Sequence, residues 1–129
     1  MSRDRFELAR TQFAKALTRL HEALAENETA IVRDALIQRF EFTYELGWKC
    51  MSYWLRAQGE RVPEIVRQVL QAAFRAGLIK DVALWERIKD YRNETSHTYD
   101  EKKAIEVASF IRSDAAAAFD ALLADLGTV

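Results

Sequence analysis

Apolar residues return every three or four positions along almost the whole chain, and the residues that would break such a pattern are scarce. Four glycines and a single proline serve 129 residues, and no Asn-Gly or Asp-Gly pair marks a hairpin turn. This predicts an all-α fold, an up-and-down helical bundle of four long helices and one short one. A single compact domain over 1–129 suits the length. Half the residues are apolar, enough for a core without disulfide staples.

The first helix is expected from Arg3 to Glu26, with Phe6, Ala9, Phe13, Ala16, Leu17, Leu20 and Leu24 in one stripe. His21 sits beside that stripe and reads as a solvated or rim histidine. Asn27 or Thr29 can cap the next helix. That second helix, from Ala30 to Gln58, is the most unusual segment. Phe40, Phe42, Tyr44, Leu46 and Trp48 alternate as in a strand, yet both flanks favour helix and hold no break. A helix apolar on several sides must be covered on more than one face. The bundle would cover one face and a second copy the rest, which predicts a homodimer. Gly47 costs about 1 kcal/mol against alanine inside a helix. A close helix crossing would explain it, and simple tolerance would serve equally. Cys50 reads as a small buried hydrophobe.

Gly59 should stop the second helix, and Pro63 suits the first position of the third. Ile65, Val66, Val69, Leu70, Ala73 and Phe74 form the apolar face of that short helix, with Arg67 and Arg75 among its polar positions. Gly77 is placed to end it, with Leu78 and Ile79 folding back. Asp81 caps a fourth helix whose core face is Val82, Trp85, Ile88 and Tyr91. The fifth starts near Asp100 and carries Ala104, Ala108, Ile111, Ala115, Phe119, Leu122 and Leu126, while 127–129 should fray.

A net charge of -1 gives no overall basic field, so any nucleic-acid chemistry would need a local positive patch. The single cysteine cannot form an internal disulfide, and neither a signal peptide nor a membrane span is visible. The expectation is a soluble cytoplasmic protein with no membrane contact.

One stretch departs from scaffold: Tyr91-Arg92-Asn93-Glu94-Thr95-Ser96-His97-Thr98-Tyr99-Asp100. A straight helix would put Arg92 and His97 about 140° apart. Asn93, Thr95 and Ser96 compete for backbone hydrogen bonds, so the helix should loosen here and bring both side chains toward one cleft. A guanidinium that keeps its charge grips phosphate, and an imidazole moves protons near neutral pH. Together they suit attack of an RNA 2′-hydroxyl on the adjacent phosphate without a metal. His97 would move the proton, and Arg92 would bind the phosphate and stabilise the transition state. Two copies at a dimer interface would supply a second acid or base and a symmetric basic cleft. Glu41, Glu45 and Lys49 lie four apart on one face of the second helix, either as a solvated ladder or facing inward to hold the arginine. No matching Glu-x-x-His follows, so neither a metal nor another cofactor is expected.

Arg92, Asn93, His97 and Tyr99 closely resemble the Arg-x4-His-x-Tyr motif of HEPN domains. Phe40 through Lys49 is similar to the second-helix signature of the HEPN branch called nucleotidyltransferase substrate-binding proteins. Arg75-Ala76-Gly77-Leu78-Ile79, Trp85 and Ser96 through Asp100 match that branch too. The resemblance runs from Phe6 to Phe119, with Gly47 where alanine is expected. It implies a homodimeric helical bundle working with a separate minimal nucleotidyltransferase as a toxin–antitoxin pair. The HEPN member is then the RNA-cleaving toxin, with Arg92 and His97 catalytic and Asn93 and Tyr99 binding substrate. Glu41 and Glu45 act in support. The resemblance also implies neutralisation by transfer of AMP to Tyr99, adding bulk and negative charge beside Arg92. Two other readings stay open: a non-catalytic subunit that binds a nucleotide or substrate for a nucleotidyltransferase, and ordinary polar residues at a helix end.

Overall fold

The computed structural model describes residues 2–127. Helix α1 spans Ser2–Leu24, α2 Ala30–Ala57, α3 Val66–Arg75 and α4 Val82–Glu94. A 3-10 turn over Thr95–His97 follows α4. The last rod is α5, Glu101–Phe110, a π-helical turn over Ile111–Ala115, and α6, Ala116–Leu126. The result is an all-α bundle of four long rods and the short α3, as the periodicity requires. Of the three terminal residues expected to fray, Thr128 and Val129 lie outside the described residues. No helix among those described is long and apolar enough to cross a membrane.

Local signals set most of the boundaries. The Thr29 hydroxyl accepts from Val32 N at 3.1 Å and starts α2, and Asp81 accepts from Leu84 N at 3.0 Å to start α4. At the ends of α2 and α3, Gly59 and Gly77 take φ of 89° and 81°, a region closed to most side chains. These turns let Glu60 N reach Leu55 O and Leu78 N reach Ala73 O, both at 2.9 Å. Leu78 and Ile79 then fold into the core.

Helix α2 is the axis of the bundle, packed most extensively on α1 and touching α3, α4, α5 and α6. Its apolar sides are therefore covered largely within one chain. Ile31 is its one large hydrophobe left strongly exposed among the described residues, so the coverage of α2 does not by itself require a second copy. Phe119 on α6 gathers the core. Its ring centroid lies 6.3 Å from Phe13, 6.0 Å from Phe40 and 5.7 Å from Trp85, joining α1, α2 and α4. Gly47 sits at a close approach of α1 and α2: a Cβ there would meet Phe13 Cε1 at 3.1 Å.

Three expectations are corrected. Pro63 is not at the head of α3, which begins at Val66, because the chain after Gly59 crosses in an extended connector before it can turn. Ile65 and Phe74 do not face the core, being 52% and 47% exposed: the short α3 buries only Val69, Leu70, Ala72 and Ala73 against its neighbours. The fifth helix is not uniform either. The π turn widens it by one residue, and there Arg112 reaches Leu24 O at 3.0 Å and Glu28 Oε1 at 2.8 Å.

Candidate functional site

The site is built where α4 ends against the middle of α2. Tyr91 stacks on Phe110 with ring centroids 4.0 Å apart and planes 11° apart, fixing the last turn of α4 on α5. Arg92, the next residue, is half-buried. Its Nη1 donates to Glu41 Oε2 at 3.2 Å and to Thr95 Oγ1 at 3.0 Å. Thr95 is buried, and its Oγ1 lies 2.7 Å from the same Glu41 oxygen and 2.7 Å from Arg92 O. A single hydroxyl proton can serve only one of these acceptors at a time. Arg92, Glu41 and Thr95 thus form a closed triangle with both bonds of the guanidinium leaving from Nη1. Nε is buried without a hydrogen-bond partner, so the donors left for an anion are those of Nη2.

After Thr95 the backbone tightens as the weak helix formers there predict. Thr98 N reaches Thr95 O at 3.4 Å, Asp100 N reaches His97 O at 3.2 Å, and Thr98 Oγ1 donates to Thr95 O at 2.8 Å. Asp100 then caps α5 by accepting from Lys102 N at 3.2 Å. His97 is exposed on this turn, its ring 6.4 Å from that of Tyr99 at 67°. Tyr99 is 87% exposed. Asn93 is exposed beside Arg92, and its carbonyl accepts from Ser96 Oγ at 3.4 Å.

The two glutamates of α2 part company. Glu41 faces inward and holds Arg92. Glu45 instead accepts from its own neighbour, Trp48 Nε1, at 3.3 Å, with Lys49 over the Trp48 ring at 5.9 Å. Burial pushes the Tyr44 hydroxyl well above its ordinary range, so it stays neutral. His21 is a rim histidine, 2.7 Å from Asp120. The residue that the sequence reading missed is Thr95, noted there only as a weak helix former. The available signal was its place three positions after Arg92, on the same helical side.

Comparison with known proteins follows the same line. The family described as nucleotidyltransferase substrate binding protein like matches residues 8–128. The chain belongs to that family. This is the HEPN branch whose second-helix signature and Arg-x4-His-x-Tyr motif the sequence carries. Among its relatives is a Haemophilus influenzae protein named probable ribonuclease HepT, 41% identical over 88 residues. That match spans 62% of this chain and 60% of the relative's length. A crystal structure of a Thermus thermophilus protein superposes with a TM-score of 0.79 at 33% identity, over 88% of this chain and 98% of that one. A second solved structure, from Haemophilus influenzae, is described as revealing the fold of a substrate binding domain of a nucleotidyltransferase. It superposes at 0.69 and 28% identity, over 97% of this chain and 98% of that one. Both structural likenesses extend over most of the bundle.

Proposed function

We propose that the protein is a HEPN-type endoribonuclease that works without a metal and serves as the toxin of a toxin–antitoxin pair. The observation that carries the reading is the break of α4 at Thr95–His97, directly after an arginine fixed by Glu41 and Thr95. His97 takes the proton of an RNA 2′-hydroxyl, whose oxygen attacks the adjacent phosphorus. The bond from phosphorus to the 5′-oxygen breaks, that oxygen takes up a proton, and a cyclic phosphate remains. Arg92 stabilises the charge gathering on the phosphoryl oxygens. Asn93 and Tyr99, exposed on either side, contact the substrate. The protein works as a homodimer, in which a second copy of the motif supplies the acid. A minimal nucleotidyltransferase neutralises it by placing AMP on Tyr99, whose exposure suits such a transfer. The relative named a probable ribonuclease supports the enzymatic reading.

The test is cleavage of labelled single-stranded RNA by purified protein in EDTA. His97→Ala should abolish it, and because His97 is exposed the variant should unfold at the wild-type temperature. Unchanged cleavage by that variant would remove His97 from the mechanism.

The second reading, a binding subunit that presents a nucleotide to a nucleotidyltransferase, is favoured by the solved neighbour described as a substrate binding domain. Calorimetry with ATP and with the partner separates the two: binding with no RNA turnover under any condition selects the binder.

A further inference from the structure

An open groove of about 450 Å3 lies between α3 and α4. Arg67, Phe74 and Arg75 line it from α3, and Glu86 and Lys89 from α4. Positions 67, 74 and 75 share one helical face, seven and eight residues apart. Phe74 turns an exposed ring into the groove rather than packing in the core. Arg67 and Arg75 are exposed, and among the described residues neither has an ionic partner. Glu86, the acid of the lining, is held by Lys89 at 3.4 Å. Two unpaired guanidinium groups thus flank an exposed aromatic ring in a chain whose net charge is -1.

We propose that this groove binds single-stranded RNA and leads it to the turn that carries His97. The proposal rests on the ribonuclease reading and adds to it a substrate track outside the catalytic turn. Surfaces for single strands combine cations that follow the phosphates with aromatic rings on which bases stack. An arginine adds bidentate phosphate contact. Direction comes from α4. Glu86, Lys89 and Asn93 recur at three and four residues on one face, so the α4 wall of the groove runs on to Asn93, beside Arg92. From Val82 to Asn93 the helix rises about 16 Å, a span of a few nucleotides. A protein surface would also fit an exposed Phe74, but unpaired arginines on both sides of the ring complement phosphates.

The experiment is fluorescence anisotropy of the full chain with a labelled 2′-O-methyl RNA single strand, which offers phosphates and bases but no attacking hydroxyl. The wild type should bind it. Phe74→Ala should weaken binding about tenfold, the loss of one stacked base. Arg67→Ala with Arg75→Ala should reduce the slope of log K against log salt by about 1.4, at about 0.7 per phosphate contact. With cleavable RNA the groove variants should raise KM and leave kcat unchanged. All three groove positions are exposed, so circular dichroism should show native helix in each variant. No binding by the wild type overturns the proposal. So do groove variants that bind like the wild type, including any that keep RNA but lose association with a nucleotidyltransferase partner. Failure of the ribonuclease reading looks different: the analogue binds through the groove while cleavable RNA survives intact.

Discussion

Glu41 and Arg92, 51 positions apart in sequence, meet at 3.2 Å between Oε2 and Nη1. The contact crosses from the middle of α2 to the last turn of α4, and the Thr95 hydroxyl closes it from the third side. An arginine held this way can present its remaining donors in one orientation, which is what a developing phosphoryl charge requires.

Removing the carboxylate should therefore cost more activity than stability. Both side chains are about one-third exposed, 34% for Arg92 and 33% for Glu41, so solvent screens the pair. Glu41→Ala should lower unfolding free energy by only about 0.5–1 kcal/mol. RNA cleavage should fall about 10- to 100-fold as the guanidinium loses its anchor. Single-turnover rates beside urea denaturation check both; a wild-type rate would show that Arg92 orients itself.

Thr95→Val keeps the branched shape at a buried position and deletes the hydroxyl. The expected loss is about 1 kcal/mol in urea denaturation. Because Thr95 and Glu41 share one network, the double variant should lose less than the sum of the two singles. Strict additivity would mean that the triangle is not a coupled unit.

At Gly47 two effects oppose each other. Alanine would gain about 1 kcal/mol in helix propensity, while its Cβ would press on Phe13 Cε1 from 3.1 Å. The edge of the ring must yield by a few tenths of an ångström, so Gly47→Ala should be close to neutral. Gly47→Val should destabilise by about 1–3 kcal/mol, since its methyls have no such room. Thermal denaturation of the two variants decides the ranking.

Burial pushes the Cys50 thiol up to about 12, and its side chain is inaccessible. The thiolate is the reactive form. A chromogenic disulfide reagent at pH 8 should leave the folded protein untouched and titrate one thiol in guanidinium. Rapid reaction in the native state would place Cys50 outside the core.

Glu28 accepts from Arg112 at 2.8 Å and from Arg33 at 3.0 Å, and the Arg112 hydrogen bond holds its carboxyl below the usual range. A depressed folded pKa stabilises the fold at pH values above the unfolded one, about 4.3. That contribution disappears as pH falls through the lower folded value. Glu28→Gln should lower the urea midpoint at pH 6, and the gap to wild type should narrow below pH 4. A gap constant with pH would separate Glu28 from acid stability.

The helices were legible because burial along one face imposes a spacing that each segment carries by itself. The stripe from Ala104 to Leu126 is buried throughout, and Thr29, Asp81 and Asp100 cap where their short polar side chains reach backbone donors of the next turn. The break after Glu94 was legible for the same local reason. Less was visible where a short helix meets several neighbours. Phe74 carries the spacing of the core face, yet only packing decides that α3 leaves it in a groove.

The sequence alone determined the bundle and the break after α4, since periodicity, caps and weak helix formers act within a few residues of themselves. The tertiary structure decided which of two similar carboxylates serves Arg92. Glu41 and Glu45 sit one turn apart on the same helix, and nothing local distinguishes them. The register of α2 against α4 carries Glu41 to the guanidinium and Thr95, while Glu45 stays with Trp48. A contact across 51 positions depends on how two packed helices slide past each other, and side-chain packing along their whole length sets that.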